Sequence, residues 1–69
     1  MIIDVTSPDG NAFAIIGYVR RLLKAAGRED EIKATVDRMM SGDYANLCAV
    51  ATEATNGSIE FYDPREDEE

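Results

Sequence analysis

The sequence predicts an α+β two-layer domain in the order β-α-α-α-β, its two end strands paired against a long first helix. Three observations carry that expectation. Apolar and polar residues alternate near both ends, from Met1 to Thr6 and from Ser58 to Tyr62. From Ala12 to Ala26 the apolar residues recur at three- and four-residue spacing, and two shorter stretches follow with helix-start signals of their own. Alternation marks a half-buried strand, and 3–4 spacing marks an amphipathic helix. Two lone strands must find partners for their backbone groups, and each is the other's nearest candidate. The simplest pairing is antiparallel. It lays Ile3, Val5, Ile59 and Phe61 against the stripe of the first helix. Residues 1–62 are read as this one domain, and 63–69 as an acidic disordered tail.

In the first strand Met1, Ile3 and Val5 face one way, and Ile2, Asp4 and Thr6 the other. Ser7-Pro8-Asp9-Gly10-Asn11 then stops it. Ser7 suits a helix N-cap, Pro8 the first helical position, and Asp9 the positive end of the helix dipole. A later start capped by Asn11 is the alternative, which Gly10 favours because glycine weakens an early turn. The helix stripe is Ala12, Ile15, Ile16, Val19, Leu22, Leu23 and Ala26. Gly17 interrupts it at a cost of about 1 kcal/mol against alanine, which predicts close approach of another backbone. Gly27 ends the helix in the left-handed conformation.

The second helix opens on Glu29-Asp30-Glu31 and presents Ile32, Val36, Met39 and Met40 before Ser41-Gly42 closes it. Asp43 caps the third, with Tyr44, Leu47, Cys48 and Ala51 on one face. Ala54-Thr55-Asn56-Gly57 breaks that helix. In the last strand Ile59 and Phe61 point one way and Glu60 and Tyr62 the other, until Asp63-Pro64 stops it.

Composition narrows the chemistry. The 69 residues contain one Cys and no His, so a disulfide framework, a zinc finger and a Ser-His-Asp triad are all excluded. The longest apolar runs, five residues as in Ala12 to Ile16, fall far short of the ~20 residues that span a bilayer. Met1-Ile2-Ile3-Asp4 lacks the basic start of a signal peptide, so a cytoplasmic, non-membrane protein is expected. Cys48, between Leu47 and Ala51 on an apolar face, reads as a small core residue. Asp9 and Asp43 are explained as helix-start residues, and Glu29-Asp30-Glu31 fan around their helix instead of converging on an ion. No enzyme, cofactor or metal site is expected.

Charge is the more informative signal. The chain carries 7 basic and 14 acidic residues, a net −7. Arg20, Arg21, Lys24 and Arg28 cluster on the first helix and just beyond it, while residues 53–69 sum to −6. Net negative charge and the absence of interleaved stacking aromatics argue against direct nucleic-acid binding. A solvated helical face and a tail that only adds solubility would account for these charges. The functional reading makes Glu60, Glu66, Asp67, Glu68 and Glu69 the candidate partner-binding residues, mimicking nucleic-acid charge in a basic groove. Arg20, Arg21 and Lys24 form the alternative, an anion-binding face for a phosphorylated small molecule. Two open ribbon edges and a thin core add the expectation of a homodimer. Adjacent Met39 and Met40 cannot both face inward, which leaves one for a second subunit to cover.

Ser7-Pro8-Asp9-Gly10-Asn11-Ala12-Phe13-Ala14, with Ser41-Gly42-Asp43-Tyr44 further on, resembles a group of short uncharacterised phage and prophage proteins. They share an SP-D/E-GNAF start, an aliphatic-basic helix and an SGDY step into the last helix. The resemblance covers residues 3–52, and the C-terminal strand and acidic tail are less typical of the group. It implies a bacterial cytoplasmic setting and assigns no functional residue. Small acidic phage proteins act by binding. The expectation is an inhibitor of a host defence or nucleic-acid-handling protein, with an oligomeric sponge for a phosphorylated ligand as the alternative.

Overall fold

A computed structural model describes residues Met1–Asp67. Strand β1 (Ile2–Asp4) leads through a 3-10 turn at Pro8–Gly10 into helix α1 (Ala12–Ala25). A second 3-10 turn, Glu29–Glu31, runs into α2 (Ile32–Met40), followed by α3 (Tyr44–Ala54) and strand β2 (Glu60–Tyr62). The fold is α+β, as the alternation and spacing predict. The strands, however, pair in parallel and not antiparallel, with Ile2 opposite Glu60, Ile3 opposite Phe61 and Asp4 opposite Tyr62. The reason is the connection. Parallel strands need a crossover of a dozen or more residues, and three helices supply one that returns the chain to its starting end.

Both junctions around β1 are local chemistry. Asp4 ends the strand early, because its carboxylate accepts from the Thr6 amide at 2.8 Å and the Thr6 hydroxyl at 2.6 Å. Its carbonyl takes the Ser7 amide at 3.0 Å. Such side-chain bonds offer the backbone an alternative to the ladder. Ser7 and Pro8 then start only the 3-10 turn, without a side-chain cap. The α-helix itself begins on the alternative cap, Asn11, whose Oδ1 accepts from the Phe13 amide at 2.8 Å. Gly10 is required by packing. A Cβ there would lie 2.6 Å from the Val5 carbonyl oxygen and 2.7 Å from its Cα.

The other expected caps are present. Gly27 takes a φ of 75°, and the Arg28 amide reaches back to the Leu23 carbonyl at 2.8 Å. Asp43 accepts from the Asn46 amide at 2.9 Å. The segment read from sequence as a disordered tail begins with a 3-10 turn at Pro64–Asp67, and Asp63 accepts from the Arg65 amide at 3.0 Å.

Ile15, Val19 and Leu23 of α1 meet Met39 of α2, Leu47, Val50 and Ala51 of α3, and Ile3 and Ile59 of the ribbon. Each fully buried aliphatic side chain contributes about 1.5–3 kcal/mol. Val50 and Ala54 are buried in α3, whereas Cys48 and Tyr44 are less covered than the expected face implies. Thr55 also lies in the interior. Its hydroxyl donates to the Ala51 carbonyl at 2.7 Å and accepts from the Ile59 amide at 3.2 Å, so it ties α3 to the segment entering β2. The methionine pair splits as expected, with Met39 0% and Met40 64% exposed. Met39→Ala is expected to cost about 2–5 kcal/mol in chemical denaturation, and Met40→Ala next to nothing.

Candidate functional site: two surfaces of opposite charge

The ribbon has an inner and an outer face. Ile3 and Phe61 pair inward. On the outer face the register sets Ile2 beside Glu60 and Asp4 beside Tyr62. Ile2 is 72% exposed, and Met1 and Tyr62 are exposed with it. Alternation put the polar residues of β2 outside but also forced Ile2 out, and the pairing sets that apolar side chain beside the Glu60 carboxylate. Asp63 follows at once, held below the usual carboxylate range mainly by its hydrogen bond from Arg65, whose guanidinium lies 2.9 Å away. Glu66 and Asp67 belong to the terminal 3-10 turn, so Glu60 and these two candidates fall within one short run. Glu68 and Glu69 lie outside the described residues.

The basic cluster is rearranged from its sequence order. Arg28 leaves it. Its Nε and Nη2 donate to Glu31 at 2.8 and 2.9 Å, and Nη1 donates to the Ala54 carbonyl at 2.7 Å. The hydrogen bond from Arg28 is the chief reason that the Glu31 carboxyl titrates below its ordinary range. A carboxyl with a depressed folded-state pKa adds stability above its unfolded pKa and loses it as pH falls through the folded one. Arg38 is likewise paired, with Glu53 at 3.2 Å. Among the described residues, Arg20, Arg21, Lys24 and Lys33 form no ion pair.

Those four cations share one side of the molecule. Ile15, Val19 and Leu23 turn inward, so Phe13, Gly17, Arg20, Arg21 and Lys24 are left on the outer face of α1. Arg20 and Lys33 border a shallow groove between α1 and α2 of about 450 Å³, floored by Ile16, Ile32 and Val36. Glu29 and Asp37 also line it. A second depression of about 300 Å³ runs on past Gly17 to Arg21 and Lys24. The backbone approach that Gly17 predicts is absent, since no atom lies within 4 Å of where its Cβ would stand. Phe13 is 81% exposed, the most exposed large apolar side chain. The sequence held the signal, for Phe13 falls off the stripe and one turn before Gly17.

Tyr18 donates to Asp9 at 2.9 Å, the main cause of its raised pKa, and Tyr44 donates to the Gly10 carbonyl at 2.5 Å. Burial raises the Cys48 thiol, which keeps it protonated and a poor nucleophile. Among the described residues no group of three or more acidic, Cys or His side chains converges as a metal site would require. Among the described residues no helix is long and apolar enough to cross a membrane. Comparisons with protein families, with curated proteins and with solved structures found no match.

Proposed function

We propose that this chain is a small acidic binding protein that blocks a basic partner by direct contact, using the outer ribbon face and the turn after it. The observation that carries the reading is Ile2, an isoleucine standing 72% exposed beside Glu60 on the face that also carries Tyr62. An apolar and aromatic centre with a charged rim is the usual anatomy of a protein-recognition surface. The rim is acidic, so the partner is basic, and a nucleic-acid-handling or defence protein of a bacterial host fits that chemistry. Such a protein acts in the cytoplasm without cofactor or catalysis. Direct nucleic-acid binding is opposed by the chain's net charge of −7.

Charge at a rim acts mainly on association rate and is screened by salt. Changing Glu66, Asp67, Glu68 and Glu69 together to Ser is therefore expected to slow association with the purified partner and flatten its salt dependence. Changing Arg20, Arg21 and Lys24 to Ser is expected to leave both nearly unchanged when the protein is dilute enough to be a single copy. Stopped-flow mixing at low and high salt reads the difference.

A second reading rests on the unpaired cations. Arg20, Arg21 and Lys24 around an open Gly17 are a face that a phosphorylated small molecule could use, with copies assembled into a sponge. It predicts an ultraviolet-absorbing nucleotide that co-purifies with the protein and is lost in the Arg20, Arg21 and Lys24 variant.

A further inference from the structure

The two surfaces are complementary to each other. Six of the seven basic residues lie between Arg20 and Arg38, where only four acids accompany them. The remainder of the chain holds ten acids and Arg65 alone. Six of those ten acids fall between Glu60 and Glu69, which makes the ribbon end acidic, while the α1–α2 side carries Arg20, Arg21, Lys24 and Lys33. Each also exposes apolar side chains, Phe13 on one and Ile2 and Tyr62 on the other. Fourteen acids stand in a chain of 69 residues, yet Arg20, Arg21, Lys24 and Lys33 find no ion-pair partner among the described residues. Among the described residues no side-chain hydrogen bond engages them either. An exposed mid-helix glycine with open space above it adds to the pattern. It costs the helix about 1 kcal/mol and gains nothing inside the monomer.

We infer that the outer face of α1 is the docking site for the acidic ribbon end of a second copy of this chain. Like faces cannot pair, because two α1 surfaces would bring the same unpaired cations together. Unlike faces match in charge and in apolar content. The contact is therefore heterologous, acidic end onto cationic face. Gly17 lets the incoming backbone approach the helix, and Phe13, one turn before it on the same outer face, gives an apolar anchor. The inference rests on the ribbon end being a recognition surface. It adds that self-association covers that surface, so partner binding and self-association compete.

Two charge-reversed variants test this. One carries Arg20→Glu, Arg21→Glu and Lys24→Glu, and the other Glu60→Lys, Glu66→Lys and Asp67→Lys. Light scattering on the unaltered chain should give a mass that rises with protein concentration at low salt and falls as salt is added. Each variant alone should remain at the mass of one chain, because it has lost one half of every contact. Mixed in equal amounts, the two should recover a species of twice that mass, since each retains the half the other lacks. A cooperative melt for each variant shows that the fold survives.

Gly17→Ala supplies a second readout. It should raise the melting temperature, because the helix improves and nothing is struck, while weakening self-association about ten-fold. An unaltered chain that stays at single-chain mass overturns the inference. So does either variant associating alone, a mixture that does not pair, or a Gly17→Ala chain that associates as before. Failure here with partner capture intact rejects self-docking alone. Loss of partner capture by the ribbon variant is the separate test of the functional reading.

Discussion

Deleting residues 58–69 will abolish cooperative unfolding, whereas deleting 64–69 will change it little. The longer cut removes Ile59, which is completely buried among the helices, and all of β2. It also strips the hydrogen bonds that close the ribbon. The Glu60 amide donates to the Met1 carbonyl at 2.8 Å, the Val5 amide to the Tyr62 carbonyl at 3.0 Å, and the Met1 ammonium to the Ser58 carbonyl at 2.6 Å. Without β2, the inward Ile3 loses its ribbon partner Phe61, and the Thr55 hydroxyl loses the Ile59 amide it accepts from. A chain of this size has little stability in reserve, so removal of one whole edge of the core is not absorbed. Thermal melts by circular dichroism check both truncations. If the shorter product melts like the full chain, the ribbon is not part of the cooperative unit.

Gly10→Ala will destabilise the fold by about 3 kcal/mol, at the upper end for overpacking. The added methyl would meet backbone atoms of Val5 at 2.6–2.8 Å, and no rotamer change can move them. Relief requires the 3-10 turn to shift away from the end of β1. That disturbs the Gly10 carbonyl, which accepts from the Tyr44 hydroxyl and so joins the turn to α3. Gly17→Ala has the opposite sign in the isolated chain, since its methyl meets open space. The pair gives a sharp control, because the same chemical change at two glycines moves denaturant midpoints in opposite directions. A Gly10→Ala chain as stable as the original contradicts the close approach.

Much of this fold is legible in the sequence because it is decided locally. Alternation assigned Ile3, Ile59 and Phe61 to the inner face, and spacing assigned Ile15, Val19 and Leu23 to the core. Val5, assigned with them, is only half-buried and stands outside the core, because the strand ends at Asp4. The Gly27 terminus and the Asp43 cap follow from residue type alone. Strand direction does not. Alternation is identical for parallel and antiparallel neighbours, and direction depends on where three helices deliver the chain. The site was legible in part. Glu60 and the α1 cations could be read from charge, but removal of Arg28 from the cluster depends on the Ala54 carbonyl, 26 residues away. Ile2 becomes a candidate anchor only once the register sets it beside Glu60. Gly17 was misread for a similar reason, since sequence shows that a side chain is missing but not whether anything fills the space.

The most direct test of the functional reading is a paired capture from bacterial lysate. The tagged chain is compared with a ribbon variant carrying Ile2→Ser, Glu60→Ser and Tyr62→Ser, and with the Arg20, Arg21 and Lys24 to Ser variant, all checked for a cooperative melt. Mass spectrometry then reads proteins and small molecules from each. The account predicts a basic protein held by the unaltered chain and by the helix variant, lost from the ribbon variant, and released by salt. A ribbon variant that keeps the same protein while the helix variant sheds its bound protein or a nucleotide would contradict it.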